Sequence, residues 1–234
     1  MTARTPDLTR YGLVVFDLDG TLYRLGPVRR AMLGEILTTG GAPGRLARLR
    51  ILRRFRHLRE ELSRRQPRGF EPALFAQLSK ETGQDEQALR SLVVEWMEVR
   101  PLPFLAPARL PGAEAMFAAL AAREVVTAVW SDYPVAEKLA ALGLSAPHHV
   151  WAGDPEVAAL KPDPAGLLLL MERIGARPEE TLMIGDRLSH DGRAAEAAGT
   201  DFLLIAPRAP RDLGPRQYHA CDYRNLAGAT RLAA

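Results

Sequence analysis

The chain has 234 residues, 47% hydrophobic and 25% charged, which is ordinary for a globular protein and excludes a disordered or fibrous one. A formal charge of +3 is too mild to imply nucleic acid by itself, and the single cysteine, Cys221, excludes an intrachain disulfide framework and a cysteine-based zinc site. No apolar run is long enough to span a membrane, and the start MTARTPDLTRYG lacks the apolar stretch of a secretory signal, so a soluble cytoplasmic protein is expected.

In chain order, the first element is a short apolar run, Leu13–Phe16 (LVVF). Four similar runs come much later: Val125–Trp130, His149–Ala152, Leu182–Ile184 and Phe202–Ile205. They are too short for helices, and their near-continuous apolarity predicts strands buried on both faces, as in a parallel sheet. Residues 26–105 contain no such run. There Leu46, Leu49, Leu52, Phe55, Leu58 and Leu62 recur every three or four residues and predict one helix face. Leu89, Leu92, Val93, Trp96 and Met97 predict a second helix over Asp85–Val99. Arg100–Gly112 holds four prolines and reads as a stiff connection.

Beyond it, helices are predicted over Pro111–Arg123, Pro134–Leu142, Asp163–Ile174 and Asp191–Ala198. Gly143 and Gly199 supply C-caps, and Asp163-Pro164 supplies an N-cap followed by proline at the first helical position. Strand and helix therefore alternate from about residue 110 to 205, which predicts an α/β, doubly wound parallel sheet. An all-helical segment interrupts it after the first strand. The tail Tyr218–Ala234 carries a weak signal for one more strand or helix.

Four small constellations carry chemistry. Phe16-Asp17-Leu18-Asp19-Gly20-Thr21 puts two carboxylates directly after a strand, where ligands bind in open α/β sheets. Charge crowded in this way calls for a cation or a shared proton, and hard cations such as Mg2+ take oxygen ligands of this kind. Gly185-Asp186, with Asp191 five residues on, repeats the pattern after a later strand. Ser131-Asp132 ends another strand and offers a hydroxyl donor. Lys161 is one of only three lysines (Lys80, Lys138, Lys161) among 31 basic residues, and precedes a well-marked helix start. Taken singly, each of these also fits a turn, a helix cap or a solvated side chain.

Together, in this order, they resemble the haloacid dehalogenase (HAD) superfamily of aspartate-nucleophile phosphohydrolases. Its DxDGT motif is matched by Asp17, Asp19, Gly20 and Thr21, its Thr/Ser motif by Ser131, its lysine by Lys161, and its GD-with-later-Asp motif by Gly185, Asp186 and Asp191. The resemblance implies a Rossmann-like core formed by residues 1–25 and 106–234, with a C1-type helical cap over 26–105, as in phosphoglycolate phosphatase-like members. It implies that Asp17 is the nucleophile and Asp19 the acid and base. Mg2+ would sit on the Asp17 carboxylate, the Asp19 backbone carbonyl and the Asp186 carboxylate, with Asp191 in support. Asp17, Gly20, Ser131 and Lys161 would meet the phosphate.

The implied activity is Mg2+-dependent hydrolysis of a small phosphorylated metabolite. Alternatives are a sugar-phosphate mutase and a catalytically weak HAD-fold binding or regulatory protein. Asp19 favours phosphate chemistry over dehalogenation, and nothing around Lys80 suggests a Schiff base. Asp132 departs from the neutral residue common after the motif serine, an anion that would weaken phosphate binding unless Arg187 or a cap arginine paired with it, a pairing the sequence gives no reason to expect.

The stretch Arg45–Arg68 holds ten arginines. It reads as a solvated helix face or as an electropositive wall that attracts anionic substrates. Only Phe55 and Phe70 are available there as stacking platforms, which argues against a nucleic-acid reader. Hinges are expected near Tyr23–Pro27 and Pro103–Pro111. Of five histidines, His190 is placed to contact a ligand, and no spacing suggests zinc. The sequence carries no signature of oligomeric state.

Overall fold

The computed structural model describes residues 5–65 and 67–229. Six parallel strands form one sheet: β1 (Leu13–Phe16), β2 (Val126–Ser131), β3 (His148–Trp151), β4 (Thr181–Gly185), β5 (Asp201–Ile205) and β6 (Gln217–Ala220). Their order is β3-β2-β1-β4-β5-β6. β1 is therefore central, in register with β2 (Phe16 opposite Val129) and with β4 (Phe16 opposite Ile184).

The five predicted strands are present within a residue or two. The weak tail signal resolves into β6, which pairs with β5, and α10 (Arg224–Ala229), while residues 230–234 lie outside the described residues. Alternate residues of β1 feed opposite faces. Val14 and Phe16 pack with Met116, Leu120, Leu139 and Leu142, whereas Leu13 and Val15 pack with Leu167, Leu170, Ala194 and Ala198. Both faces are buried, which is why the strand sequences show no polar alternation.

The first of these layers holds α6 (Ala113–Ala121) and α7 (Ala136–Leu142), and the second holds α8 (Ala165–Ile174) and α9 (Arg193–Ala198). Gly143 and Gly199 close α7 and α9 in the left-handed conformation, as predicted. α8 begins two residues after Asp163, which nonetheless caps its first turn by accepting the Ala165 N–H at 2.9 Å.

Between β1 and β2 lie α1 (Leu25–Thr38), α2 (Ala42–Arg65), α3 (Phe70–Thr82), α4 (Glu86–Val93) and α5 (Leu105–Ala108). The predicted face of α2 is buried at Leu52, Phe55 and Leu58, but Leu46 is exposed. Ile51, Phe55 and Leu58 share a second core with Phe70, Leu74, Leu78 and Leu89. Asp85 caps α4 through the Ala88 N–H at 3.0 Å, and the chain stays helical to Val99 as predicted, with a change of pitch after Val93. It widens there into a π-type turn, Val94–Val99, that buries Trp96 between Arg48 and Arg100, 4.2 and 4.3 Å from its ring.

Arg100–Gly112 is not the plain connection its prolines suggest. It folds into a turn over Leu102–Phe104 and the single helical turn α5, with Pro103 at a first-turn position where no N–H is required. The two chain crossings between insertion and sheet run side by side: Arg24 N–H donates to Ala108 O and Leu110 N–H to Leu22 O, both at 2.9 Å. Among the described residues, no helix is long and apolar enough to cross a membrane.

Candidate active site

Loops at the carboxyl ends of four strands converge beneath the helical insertion. In this strand order the chain goes to one side of β1 for β2 and β3 and to the other for β4, so the crevice lies at the end of β1. Asp17 leaves β1 there, its N–H donating to Ile184 O at 2.8 Å. Its Oδ1 accepts the Lys161 ammonium at 2.7 Å and its Oδ2 the Thr21 hydroxyl at 2.7 Å. Burial pushes the Asp17 carboxyl up to about 6, against the pull of Lys161.

Lys161, 2% exposed, also donates to Asp191 Oδ1 at 2.8 Å and to Trp130 O at 2.9 Å. All three ammonium hydrogens are thereby used, so Lys161 stands as counter-ion to two carboxylates, and a phosphate oxygen would have to share them. Burial disfavours the charged lysine, but Asp17, Asp191 and Asp132 outweigh it and raise its pKa. Asp191 does not begin a helix as predicted. A π-type turn, Leu188–Gly192, precedes α9, and the carboxylate points inward to Lys161 and to the Arg187 N–H at 3.0 Å.

Asp186 differs from its neighbours in having no hydrogen-bond or ion-pair partner among the described residues. Burial and the charges of Asp17 and Asp191 push it up to about 8. Carboxylate oxygens of Asp17, Asp186 and Asp191 lie within 4.8 Å of one another. An unpartnered, half-buried carboxylate in an all-oxygen cluster fits a hard divalent cation, whose charge would relieve this repulsion. Gly20 makes room for the cluster: its φ is +102°, and a Cβ there would run into the Asp186 carboxylate.

The Asp19 side chain turns away from the cluster. Both its oxygens accept the Lys138 ammonium, at 2.7 and 2.8 Å, and Oδ1 also accepts the Tyr23 hydroxyl. Burial pushes its carboxyl up, but Lys138 and Tyr23 outweigh this and hold it below the usual range. Only the backbone carbonyl of Asp19 is left for the metal role expected of it. Ser131 ends β2 fully buried; its Oγ accepts the Tyr133 N–H at 3.1 Å, which leaves its hydrogen to donate.

Among the described residues, neither Arg187 nor a cap arginine pairs with the carboxylate of Asp132. Its carboxylate accepts the Lys161 backbone N–H at 3.3 Å. Arg59 of α2 binds its backbone carbonyl rather than its carboxylate, and Arg187 pairs with Glu60 at 3.2 Å. The insertion thus touches the site loops directly: Arg59 lies 4.4 Å from the Tyr133 ring, and Ser63 donates to Lys161 O.

A cavity of about 1000 Å3 opens from these aspartates between core and insertion. The arginine stretch divides by role. Arg54 pairs with Glu61 and Glu81, Arg59 is buried, and Arg50, Arg53 and Arg56 line the cavity. His190 also lines it, 3.5 Å from Glu60, while Lys80 does not. Lys138, Tyr23, Glu60, Arg59 and Ser63 escape sequence reasoning as site residues. Only Lys138 carries a signal, as one of three lysines in an arginine-rich chain.

Comparison with known proteins agrees with this geometry. A phosphoglycolate phosphatase of Rhodospirillum rubrum is 30% identical over 82% of this chain and 78% of its own. A glyceraldehyde 3-phosphate phosphatase of Methanopyrus kandleri is 27% identical over 87% of each chain. A HAD-hydrolase of Bacillus subtilis solved bound to magnesium has the same fold, with a TM-score of 0.62, 18% identity, and coverage of 95% of this chain and 100% of that one. Residues 11–199 match the haloacid dehalogenase-like hydrolases, a span from before β1 through α9 that takes in the whole helical insertion. The chain belongs to that family, and its curated relatives are phosphatases.

Proposed function

We propose that this protein is a Mg2+-dependent phosphohydrolase that cleaves a small phosphorylated metabolite through an aspartyl-phosphate on Asp17. The observation that carries this reading is the division of labour between the two aspartates of one loop. Asp17 is fixed among Lys161, Thr21 and Asp186, and Asp19 is fixed apart from them by Lys138 and Tyr23. A nucleophile and a proton-handling group on one strand end, aimed by different partners, fit two-step phosphoryl transfer.

Asp17 and Asp186 would hold the ion, with the Asp19 carbonyl, and Asp191 would support them through Lys161. Bound Mg2+ would neutralise phosphate charge facing the attacking carboxylate. Ser131 donates to a phosphoryl oxygen, and Lys161 holds Asp17 in place. An Asp17 oxygen forms the bond to phosphorus as the ester P–O bond breaks. The departing oxygen takes a proton through Asp19, which draws it from the Lys138 ammonium bonded to both its oxygens and hands one back to that nitrogen in the second step. Water then attacks phosphorus, Asp19 accepts its proton, and the Asp17 bond to phosphorus breaks.

Residues 26–105 act as the cap, with 1–25 and 106–234 as the core. The paired crossings at Leu22–Arg24 and Ala108–Leu110 are where the cap would pivot. Phosphate release from phosphoglycolate, glyceraldehyde 3-phosphate and an aryl phosphate, with and without Mg2+, tests the proposal. Release that needs Mg2+ and vanishes in Asp17→Asn is expected. Release that survives in Asp17→Asn would overturn it.

A further inference from the structure

The cavity is far larger than a two- or three-carbon phosphate requires, and its two ends differ in charge. At about 1000 Å3 it lies at the upper end of the range for sites that enclose drug-sized ligands. Its carboxylates, those of Asp17, Asp19, Glu60, Asp132, Asp186 and Asp191, all gather at the strand ends or against them. Beyond Glu60, no carboxylate lines it among the described residues. The far part is lined instead by Arg50, Arg53 and Arg56 of α2 and by Arg29 of α1.

α2 works as a ruler. Its Glu60 and Ser63 touch Arg187 and Lys161 beside the aspartates. Counting back from Glu60, Arg56, Arg53 and Arg50 stand about 6, 10 and 15 Å further along the helix axis. Arg50 and Arg53 are exposed and have no hydrogen-bond or ion-pair partner among the described residues.

The wall formed by α1 is apolar along a similar length. Leu25 lies next to Gly20 and Asp186, and Val28, Met32 and Ile36 continue the same face for about 16 Å. Leu33 on this wall is 47% exposed, an apolar surface with nothing over it. An apolar wall beside unpaired guanidinium groups, with the reacting centre at one end, specifies a ligand with two unlike ends.

We infer that the substrate is a phosphate monoester of an extended, partly apolar alcohol that carries a second anionic group, a carboxylate or phosphate, for the arginines of α2. This rests on the phosphohydrolase reading of the same site and fixes the class of leaving group. The scissile phosphate sits at Asp17, the carbon body lies along Leu25, Val28 and Met32, and the second anion reaches Arg53 or Arg56. Phosphoglycolate is too short to reach them, and glyceraldehyde 3-phosphate has no second anion to offer.

The test is a set of four probes with the whole protein and Mg2+: p-nitrophenyl phosphate, 2-phosphoglycolate, hexyl phosphate and 6-phosphooxyhexanoate. Turnover of p-nitrophenyl phosphate checks the phosphohydrolase reading independently of the inference, and its absence would refute that reading and the inference with it. The expected result is that kcat/KM for 6-phosphooxyhexanoate exceeds that for hexyl phosphate and for 2-phosphoglycolate by about tenfold or more. Arg53→Gln and Arg56→Gln should each pull the ratio of the first two towards one, chiefly through KM. If p-nitrophenyl phosphate is hydrolysed but 2-phosphoglycolate matches or exceeds the six-carbon probe, the inference is wrong. It is equally wrong if the ratio is large but neither variant changes it.

Discussion

Replacing Lys138 by methionine keeps the length and apolar body of the side chain but removes the charge that holds Asp19. Lys138 is 4% exposed, and it binds both Asp19 oxygens at 2.7 and 2.8 Å. Breaking a fully buried pair by removing one partner costs about 3–5 kcal/mol, because the other charge is left without compensation. The Asp19 side chain is 19% exposed and keeps the Tyr23 hydroxyl, so about 2–3 kcal/mol is expected here. For a protein of this size that lowers Tm by roughly 4–12 °C.

The decisive assay is a double-mutant cycle read by denaturant unfolding. Asp19→Asn alone leaves a buried ammonium facing a neutral amide and should cost a similar amount. The double variant Asp19→Asn/Lys138→Met removes both charges and should lose clearly less than the two single losses combined, with a coupling of about 2 kcal/mol. Lys138→Met should also lower kcat about 10–100-fold, since Asp19 is no longer aimed at the reacting oxygen. Additive stability losses, or full kcat in Lys138→Met, would refute the role given to this pair.

Other outcomes follow from the same geometry. Gly20→Ala should lose activity at least 100-fold and more than about 1 kcal/mol of stability, because Ala fits poorly at a φ of +102° and its Cβ displaces Asp186; steady-state kinetics and a melt check both. Asp17 and Asp186 hold their protons more tightly in the fold, up to about 6 and about 8, than the ordinary value of 3.8. The stability this gives is full below that ordinary value and is lost as pH rises through the folded values. Metal-free protein should therefore show a Tm that falls from about pH 5 to about pH 8, and saturating Mg2+ should raise Tm more at the higher pH. An equal Mg2+ effect across that range would contradict it. Arg59→Met, which removes the bond to Asp132 O and the stacking on Tyr133, should cost about 2 kcal/mol and raise KM, a loss that Arg59→Lys recovers only in part.

Much of the sheet can be read from local pattern because buried parallel strands leave an unbroken apolar trace. Leu13–Phe16 and Phe202–Ile205 are visible for that reason. β6 is faint because its sequence, Gln217–Ala220, mixes polar residues into an edge strand. The aspartates and Lys161 are legible because their spacing from strand ends is fixed by the chemistry they share. Asp191 is legible as a site residue, but its place inside the turn Leu188–Gly192 rather than at a helix start is not, because its pull towards Lys161 depends on a residue 30 positions away. Arg59 and Ser63 stay hidden for the same reason, and Lys138 shows only through the rarity of lysine: each acts on a loop brought to it only by the folded sheet and insertion.

The claim that most needs testing is that Asp17 carries the phosphoryl group. Asp19→Asn with p-nitrophenyl phosphate and Mg2+ isolates that step, since nitrophenolate leaves without a donated proton while hydrolysis of the intermediate still needs a base. Stopped-flow absorbance should show a burst of nitrophenolate equivalent to the enzyme, followed by slow turnover. Acid-quenched protein should carry phosphate on the peptide that contains Asp17. Wild-type turnover with no burst and no protein-bound phosphate in Asp19→Asn would contradict the account.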